Sequence, residues 1–136
     1  MRIKASYADG FTARLLRWTL DVDRGNASLH ADWFQNPSPV RTAFRLDDGP
    51  VRAALPRLAL AARSLEAAAA GRGVCDDAGL RTLTVEDGET SVRIRDDHNA
   101  TVGAAVKRHP ELKAFREVWR LLEKAVAPHL PFDLRR

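Results

Sequence analysis

Side chains that could bind a metal ion or transfer a proton are concentrated in one short run of the sequence. Asp96, Asp97 and His98 follow a strand-like segment. Carboxylates and an imidazole can ligate a hard or borderline cation, and the same groups act as general acids or bases. Adjacent side chains seldom converge on one ligand without help, and His30 is the other titratable group that would have to join them. The run is therefore a candidate ligand or acid–base site, with an Asx-rich turn as the alternative.

The single cysteine has the wrong neighbours for a reactive thiol. Thiolates are stabilised by positive neighbours, but Cys75 is followed directly by Asp76 and Asp77. One cysteine also excludes an intramolecular disulfide and a cysteine-based zinc site. The glycines of the run 71–73 follow a predicted helix, whereas a phosphate-binding loop places its glycines before one. We therefore assign no catalytic residue, and expect no cofactor and no bound metal.

Composition indicates one ordinary globular domain spanning residues 1–136. The chain is 45% hydrophobic and 29% charged, which is too apolar for a disordered protein. The formal charge is +4, with 22 basic and 18 acidic residues spread over both halves. A patch of arginines on an open sheet face would suit nucleic acid, and its candidates are Arg14, Arg17, Arg81, Arg93 and Arg95. Acidic residues are interleaved with them, so we consider nucleic acid an unlikely partner.

The sequence shows no signal for a membrane. Met1-Arg2-Ile3-Lys4 leads straight into strand-like alternation, without the apolar stretch of a signal peptide. No run approaches the ~18 apolar residues that a membrane-spanning helix needs. The simplest expectation is a cytoplasmic protein.

Period-two alternation predicts six strands. The first four lie around Ile3–Tyr7, Leu16–Val22, Ala27–Trp33 and Val40–Leu46. The loop 23–26 closes a hairpin that pairs Leu20 with Leu29 and Leu16 with Trp33. Two further strands flank Asp87-Gly88, a strong hairpin signal.

Two amphipathic helices complete the pattern. The first follows Asp47-Asp48-Gly49-Pro50 and ends at Gly71 and Gly73, with Pro56 indicating either an irregular first turn or a start near Leu55. The second opens at Pro110-Glu111, and its predicted buried stripe is Leu112, Phe115, Trp119, Leu122 and Val126. The segment 101–108 gives no clear pattern. The order ββββαββα predicts an α+β fold, with an antiparallel sheet and two helices packed on one face.

Aromatic residues outside the predicted core are the best candidates for contacts with a partner. Trp18, Trp33 and Trp119 lie on predicted apolar faces. Phe11 follows a turn, and Phe34 is out of phase with Trp33. An aromatic residue on the surface suits a protein interface, although both could instead pack against a second core. The candidate partner-binding residues are Phe11, Phe34, Arg14 and Arg17.

Two segments resemble a known family. Tyr7-Ala8-Asp9-Gly10-Phe11 resembles the Gly-Gly-Phe turn near the N-terminus of emfourin-like proteins, with Asp9 where the family has its first glycine. The segment 83–88, followed by a strand and the helix opening 110–112, is similar to their C-terminal half. The resemblance covers about a third of the chain, which has an extra hairpin and strand between Asp21 and Leu46. Emfourins are small bacterial inhibitors of thermolysin-like metalloproteases without a cofactor, so the resemblance implies a protein-binding role.

Two functions remain open from the sequence. The first is a non-enzymatic bacterial protein-binding module, of the inhibitor or immunity type, whose partner is another protein or a second copy of itself. The second is a small-molecule enzyme or ligand carrier that uses Asp96, Asp97 and His98 in a pocket between sheet and helices. We expect the first, because the complete pattern of strands and helices comes without a recognisable catalytic set.

Overall fold

The protein folds as one six-stranded antiparallel sheet with two helices. The computed structural model describes residues 1–10, 13–69, 79–96 and 110–131, and the side chains of 65–69 are outside that description. The elements are β1 (Arg2–Ala8), β2 (Arg17–Asp23), β3 (Asn26–Asp32), β4 (Val40–Arg45), α1 (Gly49–Ala69), β5 (Leu80–Asp87), β6 (Thr90–Asp96) and α2 (Leu112–Val126), which continues as a 3₁₀ turn over Ala127–His129. The predicted α+β class and element order are confirmed.

The strands lie in the order β4-β3-β2-β1-β5-β6, and every neighbouring pair is antiparallel. β1 is therefore central, flanked by β2 from the first half of the chain and β5 from the second. Both halves contribute to one sheet and to one cluster of buried apolar residues.

Local turn chemistry fixes the two tight hairpins. Arg24 and Gly25 both have positive φ, 50° and 81°, as a type I′ turn requires between β2 and β3. The register that this turn sets pairs Leu20 with Leu29, as predicted. Between β5 and β6, Gly88 supplies the positive φ of 60°.

One face of the sheet is covered and the other is open. Alternate strand residues point inwards and are almost fully buried: Ile3, Ala5, Trp18, Leu20, Val22, Ala27, Leu29, Ala31, Leu83, Val85, Val92 and Ile94. Both helices turn their apolar sides to this layer. All five residues of the predicted α2 stripe are buried.

The two helices pack against each other in antiparallel orientation. Arg57 in α1 lies 3.5 Å from the Glu117 carboxylate in α2, and Ser64, farther along α1, bonds to Glu111 at the start of α2. α1 is helical without interruption from Gly49, so the predicted alternatives of an irregular first turn or a start near Leu55 are both wrong. Pro56 lies within the helix and on its exposed side.

Several of the predictions concern residues outside the described part of the chain: Phe11, the helix end at Gly71 and Gly73, Cys75, Asp97, His98 and the segment 101–108. Trp33 is half-buried rather than fully buried. Among the described residues, neither helix combines the length and apolar character needed to cross a membrane.

Candidate functional site

Asp96, the first residue of the predicted acid–base run, is buried and bound to an arginine. It ends β6 in phase with Val92 and Ile94, so its side chain points to the covered face with 1% of its surface exposed. The Nε atom of Arg81 donates to the Asp96 carboxylate at 3.0 Å. Arg81 and Asp96 are direct neighbours in the β5–β6 register. A carboxylate held in this way has no access to a substrate in solution, and Asp97 and His98 lie outside the described residues.

The arginine of this pair lies against aromatic rings of α2. The Arg81 guanidinium carbon lies 5.1 Å from the ring centre of Phe115 and 5.6 Å from that of Trp119. The Trp119 indole N–H donates to Glu123 at 2.7 Å. Burial raises the pKa of Glu123, while the hydrogen bond from Trp119 and the charge of Arg81 oppose that rise. These groups satisfy one another, which indicates a structural polar cluster.

A second polar cluster holds the turn after β1. The Asp9 carboxylate accepts hydrogen bonds from the Tyr7 hydroxyl at 2.6 Å, from Arg14 Nε at 2.7 Å and from the Leu16 amide at 2.9 Å. The Asp9 side chain is 1% exposed and that of Arg14 is 28% exposed. The Asp9 amide also donates to the Leu16 carbonyl, which continues the β1–β2 register. A single carboxylate therefore ties both ends of the 9–16 turn together.

The Tyr7 ring connects this turn to the core. It stacks on Trp18 with ring centres 6.1 Å apart, and Trp18 stacks on Trp119 at 5.4 Å. Burial raises the pKa of Tyr7 to about 12, and the negative charge of Asp9 adds to the effect because it opposes a phenolate. The hydroxyl stays protonated at neutral pH and acts as a donor to Asp9.

Two apolar residues are exposed where the 9–16 turn meets the end of β3. Phe34 has 57% of its surface exposed and Leu15 has 49%. Their backbones are adjacent, since the Phe34 amide donates to the Arg14 carbonyl at 2.7 Å. The β2–β3 register, continued from the pair Arg17–Asp32, would place Phe34 opposite Leu15 rather than Arg14. The chain before β2 therefore contains one extra residue at this point, as in a β-bulge. We call Leu15 and Phe34 the apolar corner.

Leu15 has a backbone conformation that leucine rarely adopts. Its φ is 47°, in the left-handed region, where a residue with a Cβ atom is strained by roughly 1–2 kcal/mol. The next residue, Leu16, is fully buried. The strained backbone therefore keeps one leucine in the core and turns its neighbour towards solvent.

The predicted arginine patch does not form as one surface. Arg81 is on the covered face with Asp96, and Arg14 is bound to Asp9. Arg17, Arg93 and Arg95 are exposed strand residues on the open face. The strand aromatics Tyr7, Trp18 and Phe44 are in phase with the covered face, so the described part of the open face offers no platform for stacking bases.

No group of three or more potential metal ligands occurs among the described residues. No protein-family model matches the chain. No curated protein is significantly similar to it.

Sequence reasoning selected Phe34 and Arg14 but missed Leu15 and Asp9. Leu15 is hidden in the run Leu15-Leu16, where either residue fits the strand pattern. Asp9 precedes Gly10, and this dipeptide indicates a turn. It does not indicate that the Asp9 carboxylate is buried and binds three other residues.

Proposed function

We propose that the protein is a non-enzymatic bacterial protein-binding module, acting as an inhibitor or immunity-type partner of another protein. One observation carries the proposal: the apolar corner exposes Leu15 and Phe34 side by side, one of them on a strained backbone. Single exposed apolar residues are common and need no explanation. An adjacent pair whose exposure costs stability is unusual, and such costs are typical of functional surfaces.

The surroundings of the corner fit this role. Asp9 binds Arg14 and the Leu16 amide, the residues on either side of Leu15, which limits the conformational freedom that Leu15 would lose on binding. The described polar clusters are satisfied internally, and no buried side-chain donor or acceptor among the described residues lacks a partner. We see no observation that favours the alternative of a small-molecule enzyme.

Affinity capture with matched variants tests the proposal. Immobilised wild-type protein should retain a partner from extracts of the source cell, and Phe34→Ser and Leu15→Asn should each reduce its recovery about tenfold, because each removes apolar contact area. Leu60→Ser is the matched control, since Leu60 is 51% exposed on α1, apart from the corner. Equal recovery by wild type and both corner variants would overturn the proposal.

The family resemblance supplies a defined partner to test beside the capture. If the resemblance reflects function, the protein should inhibit thermolysin cleavage of a peptide substrate, and Phe34→Ser should inhibit it less. The protein could instead capture a different partner through the apolar corner and leave thermolysin activity unchanged. That result would support the binding function and reject the metalloprotease as the target.

A further inference from the structure

β4 is an outer strand where the covered apolar layer is incomplete. In the described part of the chain, β3 is its only strand neighbour. An edge strand directs about half of its backbone N–H and C=O groups away from the sheet. Val40 and Phe44, on the covered side of β4, are only half-buried, with the Phe44 ring stacked on His129 at 4.7 Å between ring centres. The sheet therefore offers hydrogen-bonding groups and apolar surface together at this edge.

The opposite edge differs. On β6, Val92 and Ile94 are 4% and 2% exposed, so an added strand would find little apolar surface there. Pro37 and Pro39 precede β4 rather than interrupt it, so each residue of Val40–Arg45 keeps its amide hydrogen. Of the two edges, β4 is the better template for another strand.

The charge of this edge is positive. Arg41 and Arg45 alternate with Ala43 on the open side of β4. The cross-strand neighbour of Arg41 is His30, and Arg45 bonds to the Asn26 side chain. Among the described residues, no carboxylate lies within ion-pair distance of either arginine. A shallow depression lies beside them, over Ser28, His30, Arg41 and Ala43.

We propose that the β4 edge binds an extended acidic segment of the partner protein as a seventh strand. In that segment, Glu or Asp would alternate with apolar residues. The acidic residues would lie opposite Arg41 and Arg45 on the open side, and the apolar ones would cover Val40 and Phe44. This inference rests on the proposed protein-binding function and identifies the chemistry of the partner.

A second copy of the chain is a poorer occupant of the same edge. Two β4 strands paired antiparallel about Ala43 would place Arg41 of one copy opposite Arg45 of the other, twice over. Like charges directly opposite each other destabilise a strand pair. An acidic strand turns the same two positions into favourable pairs.

Two peptides of opposite charge provide the first test. An acetylated, amidated peptide Val-Glu-Val-Glu-Val-Glu-Val, which can place glutamates opposite Arg41 and Arg45 and valines opposite Val40 and Phe44, should shift the amide resonances of Val40–Arg45 in ¹H–¹⁵N spectra. The matched peptide with lysine in place of glutamate should bind at least about tenfold more weakly. Added salt should weaken the binding of the acidic peptide. Equal binding of the two peptides, no binding of either, or shifts centred on β6 would each overturn the proposal.

Variants on the two edges provide the control. The double change Arg41→Glu and Arg45→Glu should abolish binding of the acidic peptide, whereas Arg93→Glu with Arg95→Glu on β6 should preserve it. Loss of peptide binding in both double variants would show that only the net charge of the protein matters, and would overturn the proposal. A dimer of the wild-type chain that the β4 variant disrupts would also overturn it, because a second copy would then occupy the edge.

These results separate this inference from the proposed function. Partner capture that depends on Phe34 but survives the β4 double change, with no peptide binding, would reject the acidic strand and keep the binding module. Peptide binding at β4 without any captured partner would keep the edge site and count against the function.

Discussion

At the scale of single residues, Leu15 and Leu60 are equally exposed but differ in backbone conformation. We expect Leu15→Gly to raise the free energy of unfolding by about 0.5–1 kcal/mol, because glycine adopts a φ of 47° without strain. Leu60→Gly, in the middle of α1, should lower it by about 1 kcal/mol. Guanidinium denaturation of both variants measures the difference. Two changes of the same sign would show that the Leu15 backbone is not strained.

Tyr7 provides a second prediction because it is the only tyrosine in the chain. Absorbance at ~295 nm therefore reports its ionisation alone. With a folded pKa of about 12 against 10.0 without the fold, its contribution to stability should be complete below pH 10 and disappear as the pH rises towards 12. Asp9→Asn should lower the native midpoint without restoring 10.0, since burial is the larger cause. A native midpoint near 10.0 would contradict the buried hydroxyl.

At the scale of elements, the Arg81–Asp96 pair links β5 and β6 beneath α2. Removing one member leaves a buried charge without its main partner, so Arg81→Met should cost about 3–5 kcal/mol. Adding Asp96→Leu should recover part of that loss, because both charges are then absent. Urea denaturation of the two single variants and the double variant gives the coupling energy. If the losses of stability in the two single variants simply add up in the double variant, the ion pair is not the cause of the destabilisation.

At the scale of the whole molecule, the sheet order predicts one cooperative unit. β1 lies between β2 and β5, so separating the two halves of the chain would remove a neighbour from the central strand. Tryptophan fluorescence and far-UV circular dichroism should follow the same denaturation curve. Limited proteolysis that releases two separately stable halves would contradict a single domain.

The sequence by itself determined the elements that depend on local patterns. Period-two alternation specified the strands, Asp87-Gly88 specified a tight turn, and the stripe of α2 specified its buried side. Even the buried polar pair left a signal, since Arg81 is in phase with Leu83 and Val85. From the sequence, Arg81 was nevertheless predicted to lie on the open face. An arginine is buried only with a partner, and the β5–β6 register is what brings Asp96 next to Arg81.

Only the tertiary structure decided which side chains meet and which backbone is strained. The Asp9 carboxylate joins Tyr7, Arg14 and Leu16, and no local rule predicts that convergence. The extra residue that exposes Leu15 results from two requirements on one short segment. Leu16 must stay in register with Asp9, which directly follows β1, while Arg14 bonds to Phe34 beyond the end of β3. The two can be satisfied together only through a local backbone distortion, which a one-dimensional pattern does not contain.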